Sequence, residues 1–209
     1  MSCRSSLEIG LKRNSLLTKR GNRVILVLED KTMKLLMHTC CAPCSIMCIE
    51  TLRQEGLEPV LYFYNPNIHP CKEFRLRKTT LIEYAAKIGA RLITDHEYGL
   101  RAFLKAVFPD FDKRCRECYK MRFEKTAQFA KENGFDAFTS TLFISPYQNH
   151  ELLISEAKAA AEKYGVEFLY RDFRSYFNEG QEKAREEGLY MQKHCGCIFS
   201  EEDKYKKKK

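Results

Sequence analysis

No stretch of 18 apolar residues occurs in the 209-residue sequence, so nothing in it reads as a membrane-spanning helix. The N-terminal segment also reads poorly as a secretory leader. The N-terminal segment "MSCRSSLEIGLKRNSLLTKRGNRVILVLEDKT" holds one short apolar patch, Val24 to Leu28, which follows mixed polar sequence and runs into Glu29-Asp30. The expectation is a cytoplasmic protein with no membrane partner. Neither G-x-x-x-x-G-K-[ST] nor G-x-G-x-x-G is present, so the glycine-rich phosphate loops are excluded. Internal repeats are absent, and the terminal lysine run is the only low-complexity segment. With 44% hydrophobic and 31% charged residues the chain suffices for one globular domain with a real core, and it is not disordered over most of its length.

What the sequence has in quantity is cysteine, ten in all. In a reducing compartment that number argues for metal binding or redox chemistry over a disulfide framework. The net charge of +8 suggests a nucleic-acid partner, but residues 1–32 carry +4 of it and residues 201–209 carry +2, leaving +2 for the body. Charge runs at chain ends are usually solvated. Two basic clusters in the body say more, because both adjoin cysteines: Lys72, Arg75, Arg77 and Lys78, then Lys113, Arg114, Arg116, Lys120 and Arg122.

Residues 1–32 read as a basic extension outside the core, with Met33 opening a complete domain to residue 200 and a Lys-rich tail over 201–209. Within the domain, strands are expected at 34–38, 59–64, 91–94, 136–141 and 166–170. Helices are expected at 45–55, at 71–89 after the loop "NPNIHP", in the short stretch "GLRAFLKAVF", at 115–133, at 150–164 and near 176–187. Five rounds of this alternation imply right-handed crossovers and a mainly parallel five-stranded sheet flanked by helices, a single doubly wound α/β domain. Open parallel sheets bind ligands outside the carboxyl ends of their strands. "HTCCAPC" follows the first strand, and the helix opening with Cys115-x-x-Cys118 starts on the same edge, so the two cysteine groups are expected to meet in space. Nucleotide-pyrophosphatase domains of the PP-loop type share this architecture but carry a Ser-Gly-Gly loop where this chain has cysteines, which argues against ATP use.

Cys40, Cys41, Cys115 and Cys118 offer four thiolates to one centre, near helix N-termini that favour anionic sulfur. Four cysteines suit tetrahedral zinc or an iron–sulfur cluster. Adjacent cysteines are awkward on one small ion and easier on a cubane with separate irons. The pairing Cys41-x-x-Cys44 with Cys115-x-x-Cys118 is the more familiar zinc arrangement and stays open. Cys48 and Cys3 read as structural thiols, and Cys71, at a helix start after Pro70, reads equally as reactive or as a small turn residue. "HCGC" (194–197) suggests a strained, readily reduced Cys195–Cys197 pair, with His194 stabilising a thiolate. His38 and His69 are candidate polar groups of the site. "SPYQN" offers Ser145 and Tyr147 as hydrogen-bond donors, with turn formation an equally good explanation. Asp112 reads as a helix cap first, a metal ligand or proton donor second.

Taken together, "HTCCAPC", "YNPNIHPCKEFRLR", "CRECYKMR", "TSTLFISPYQNHE", "YRDFR" and "KHCGC" resemble the epoxyqueuosine reductase family of the QueH type, the cobalamin-independent one, from about Met33 to Ser200. The resemblance implies a PP-loop/HUP-like fold and reductive deoxygenation of epoxyqueuosine to queuosine at the wobble position of tRNA. It implies a [4Fe–4S] cluster on Cys40, Cys41, Cys115 and Cys118, and a redox-active pair at Cys195 and Cys197. An additional iron is looked for near Cys44, Cys195, Cys197 and Asp112, and the electron donor is left unidentified. Two rival functions are a zinc-stabilised RNA-binding module and an iron–sulfur tRNA sulfurtransferase.

Overall fold

The computed structural model describes residues 15–20, 23–28 and 32–206. It divides into two units, Met1–Met33 and Lys34–Lys209. In the first, strands β1 (Ser15–Arg20) and β2 (Arg23–Leu28) pair antiparallel. Cys3 lies outside the described residues.

The second unit contains β3 (Leu35–His38), β4 (Pro59–Phe63), β5 (Leu92–Thr94), β6 (Ala137–Ser140) and β7 (Glu167–Phe168), in the order β5-β4-β3-β6-β7 and all parallel. This is a doubly wound α/β arrangement. All four residues of β3 and of β6 are buried, as suits central strands covered on both faces.

Helices α1 (Ala42–Gln54) and α2 (Cys71–Lys87) follow β3 and β4; α3 (Leu100–Val107) and α4 (Arg114–Glu132) lie between β5 and β6; α5 (His150–Tyr164) lies between β6 and β7. The chain winds one way from β3 to β5 and then back past β3 to β6. Right-handed crossovers therefore put α1 and α2 on one face, α4 and α5 on the other. On the α4 face, Phe129 stacks on Tyr62 at 4.6 Å and Phe123 packs against Phe138 and Phe143. Helix α6 (Phe177–Glu186) lies against α1, where Gly180 leaves room for Met47: a Cβ there would approach Met47 Cγ to 3.2 Å.

Two differences from the sequence reading bear on function. Residues 201–205 are not a free tail but the body of α7 (Ile198–Tyr205), held by the Arg114–Asp203 ion pair at 2.6 Å and by Phe199 packing on Phe111 at 5.3 Å. Strand β6 also ends at Ser140, and residues 141–144 turn into a buried 3-10 segment, because Ser140 Oγ accepts from Leu142 N at 3.1 Å and caps it.

Candidate metal and redox site

The strand order reverses between β3 and β6, and the carboxyl ends of these two strands frame the crevice where doubly wound sheets bind ligands. His38, the last residue of β3, is fully buried. Its Nδ1 meets Ser140 Oγ at 2.9 Å and its Nε2 meets the Tyr64 carbonyl at 3.1 Å. Burial, then the Arg122 charge, lowers its pKa to about 4, so it is a neutral structural imidazole at physiological pH. His69 is equally buried, and burial lowers it to about 4.

Beyond His38 the chain turns directly into α1. Cys40 and the N-cap residue Cys41 precede the helix, and Cys44 lies in its first turn. The three Sγ atoms lie within 4.8 Å of one another, with Cys40 and Cys41 at 3.6 Å. The neighbouring thiols of Cys41 and Cys44 draw the Cys40 pKa well down, while burial raises that of Cys41 and the Cys40 sulfur raises that of Cys44. The group therefore favours one thiolate, on Cys40, whose backbone N–H is held by Thr141 Oγ1 at 3.3 Å. Such a triad of soft donors can bind a metal centre.

A cavity of about 1060 Å³ opens here, lined by Cys40 and Cys44 from the first group and by Cys115, Cys118, Cys195 and Cys197 from distant segments. Cys115 and Cys118 sit in the first two turns of α4. Burial raises the pKa of both thiols, that of Cys118 to about 11. Cys197 is the N-cap of α7, its Sγ accepting from Ser200 N at 3.3 Å. The adjoining Cys197 thiol pulls Cys195 well below the usual thiol range, and Cys197 is correspondingly pushed up. Three helix N-termini thus bring cysteine to one cavity, each with the partial positive charge that favours anionic sulfur.

Two buried guanidinium groups complete the surroundings. Arg122, 3% exposed, donates through Nη2 to Cys118 Sγ at 3.1 Å and through Nε to the Cys118 carbonyl at 3.2 Å. Burial works against its charge, but the sulfurs of Cys118 and Cys40 outweigh it and keep the group cationic. Arg77, 2% exposed, is gripped by Glu73 Oε1 at 2.7 Å and donates to the carbonyls of His194 at 2.9 Å and Cys195 at 3.2 Å. Tyr190 donates to the same Glu73 at 2.6 Å. Gly196 fits beneath this clamp with φ +117, and its carbonyl accepts from His69 N at 2.7 Å.

The remaining expected residues are placed as follows. Cys48 is buried on α1 and donates to the Cys44 carbonyl at 3.3 Å, a packed thiol outside the cavity lining. Cys71 begins α2, half-buried, and is also not part of the lining. Asp112 is neither the cap nor a wall of the cavity: Asp110 caps the 3-10 turn Phe111–Lys113, accepting from the backbone N–H of Asp112 and Lys113, and leaves the Asp112 side chain exposed. Ser145 serves a turn, its Oγ accepting from Tyr147 N at 3.3 Å.

Arg77 and Arg122 are visible in the sequence as members of basic clusters but not as site residues. The available signal for Arg122 is its spacing, four residues after Cys118 and so on the same helix face. Gln192, which donates to Cys44 Sγ at 3.4 Å, and Ser200 carry no comparable signal.

Residues 35–203 match the family model described as "Epoxyqueuosine reductase QueH". Relatives with that description include one from Dehalococcoides mccartyi, 37% identical over 174 residues, which span 83% of this chain and 96% of the relative. One from Histophilus somni is 39% identical over 179 residues, spanning 81% and 73%. One from Haemophilus influenzae is 38% identical over 190 residues, spanning 87% and 77%. By its cysteine-lined crevice and by near full-length similarity, the chain belongs to the epoxyqueuosine reductase QueH family.

Proposed function

We propose that the protein reduces the epoxide of epoxyqueuosine in tRNA to the alkene of queuosine, with residues 33–200 as the catalytic unit, in the cytoplasm where its RNA substrate resides. The observation that carries the reading is the single cavity on which Cys40, Cys44, Cys115, Cys118, Cys195 and Cys197 open, in a chain of this family. An iron–sulfur centre fits these residues: the donors are all sulfur, and two buried cations stand beside them to offset its negative charge. Cys40, Cys41, Cys115 and Cys118 would hold a [4Fe–4S] cluster, and Cys44, Cys195 and Cys197 lie where a further iron ion would bind. Bound there, these groups supply one-electron transfer and a Lewis acid for the epoxide oxygen.

The chain's own residues set the stoichiometry. Loss of the epoxide oxygen as water consumes two electrons and two protons. Oxidation of the Cys195 and Cys197 thiols to a disulfide releases the same number, so one turnover balances without a further reductant. An external donor then reduces the disulfide. Cys197, whose proton is held tightly, keeps it at Sγ while Cys195 gives its own up readily. Arg77 fixes the backbone leading into the pair through its contacts to the carbonyls of His194 and Cys195.

A zinc-stabilised RNA-binding module would be colourless and inactive, and a sulfurtransferase would need ATP. The test is anaerobic purification, iron and sulfide analysis, and incubation with epoxyqueuosine-containing tRNA and a chemical reductant. Conversion to queuosine without ATP is the expected result. No conversion by protein that carries its cluster would overturn the reading.

A further inference from the structure

The sequence motif "SPYQN" has one member that the fold does not use. Ser145 makes a turn and Gln148 accepts from Tyr119 Oη at 2.7 Å, but the Tyr147 side chain is 82% exposed. A tyrosine left so open contributes little to stability by burial, since an aromatic ring stabilises the fold chiefly by being removed from water. Its position is not arbitrary, because it lines the cavity that holds the cysteines.

Tyr147 is also oriented. Its ring meets that of Phe177, the first residue of α6, at 5.7 Å with the planes 84° apart. In an edge-to-face pair, whichever ring supplies the edge, at least one face of Tyr147 stays uncovered. The turn at Ser145 fixes its backbone and Phe177 braces its ring, so a flat apolar surface is held ready at the cavity. Arg185 and Lys193 line the same cavity and are exposed, and among the described residues neither has a carboxylate partner. A pre-set aromatic face beside unpaired cations is the combination that binds single-stranded nucleic acid, with bases stacking on the ring and phosphates meeting the charges. At about 1060 Å³ the cavity lies at the upper end of small-molecule sites, which suits a nucleoside entering together with part of its flanking chain.

We propose that Tyr147, braced by Phe177, is the platform on which a base of the RNA loop presenting the modified nucleoside stacks. The proposal rests on the reductase reading for the identity of the RNA, and binding and turnover test the two separately. The probe is an RNA hairpin carrying epoxyqueuosine in its loop, with affinity measured by fluorescence anisotropy and turnover measured on protein with its cluster in place. Tyr147→Ala is expected to weaken Kd and raise KM by about tenfold or more, the loss typical of one stacked base. It should leave kcat at saturating RNA in place. Tyr147→Phe, which keeps the ring, is expected to restore the affinity. Wild-type affinity in Tyr147→Ala overturns the proposal. So does Tyr147→Phe binding as weakly as Tyr147→Ala, because the hydroxyl and not the face would then be the contact. If the wild type binds the hairpin but leaves the epoxide intact, the reductase reading fails, while the binding pattern of the two variants still decides for or against the platform. No binding by the wild type overturns both.

Discussion

Gly196, between the two cysteines of the proposed redox pair, allows a prediction whose size can be worked from geometry. Its φ of +117 lies in a region that a residue with a Cβ occupies only under strain, at a cost of about 1–3 kcal/mol. A Cβ added there would come within 3.0 Å of Ile68 Cγ1 and 3.1 Å of Arg77 Nη1. Arg77 cannot swing away freely, since Glu73 grips its Nε at 2.7 Å and its Nη2 is bound to the His194 carbonyl. What gives way is the contact from Nη1 to the Cys195 carbonyl, a charge-assisted hydrogen bond of about 2 kcal/mol. Gly196→Ala should therefore destabilise the protein by about 3–5 kcal/mol, a fall in Tm on the order of 10 °C for a chain of this size. Gly56 supplies the control: its φ is +78 and nothing lies within 4 Å of an added Cβ. Gly56→Ala should show the backbone cost alone, about 1 kcal/mol. Paired urea or thermal unfolding of the two variants measures the difference. Equal losses would refute the packing of Arg77 over Gly196.

Cys195→Ser and Cys197→Ser should each abolish turnover while leaving the [4Fe–4S] cluster in place, read from acid-labile sulfide and EPR; loss of the cluster would make them its ligands instead. Arg122→Met removes the buried cation beside Cys118 and should move the cluster's reduction potential to more negative values than Arg122→Lys does, read by EPR-monitored titration. His38 and His69 titrate near 4 in the folded protein against 6.5 when free. The unfolded chain takes up these protons first as pH falls, so the stability they hold is complete above about 6.5 and drains away between 6.5 and 4. Lowering the pH from 7.5 to 5.5 should cost the metal-free protein about 1 kcal/mol per histidine, by urea unfolding, and His69→Gln should lose about half of that dependence. A flat profile across this window would mean that the two imidazoles are not buried neutral.

Much of this architecture is legible in sequence because the elements obey strong local rules. Apolar strands such as "KLLMH" alternate with helices that end at Gly56, Gly134 and Gly165, each of which has positive φ in the structure. Parallel order follows from the alternation, and the crevice follows from the order. Helix α7 was not legible, because its sequence "IFSEEDKY" is polar and merges into the lysine run. It is held by a tertiary ion pair, by Phe199 and by a cysteine as N-cap, and none of these is a local signal. The roles of Arg77 and Arg122 were hidden for a related reason. Arginine in sequence reads as solvated charge, and only packing reveals two guanidinium groups almost wholly removed from water. Asp112 misled because Asp110, two residues earlier, competes for the same turn and takes the cap.

The central claim, that thiols at the entrance to α1 and in the first turns of α4 share one inorganic centre, is tested most directly by iron and acid-labile sulfide analysis with low-temperature EPR on anaerobically reconstituted wild type and Cys118→Ser. The account predicts [4Fe–4S] stoichiometry and a reduced-cluster signal in the wild type, both lost or converted to a smaller cluster in the variant. An intact, spectrally unchanged cluster in Cys118→Ser, or zinc in place of iron in the wild type, would contradict it.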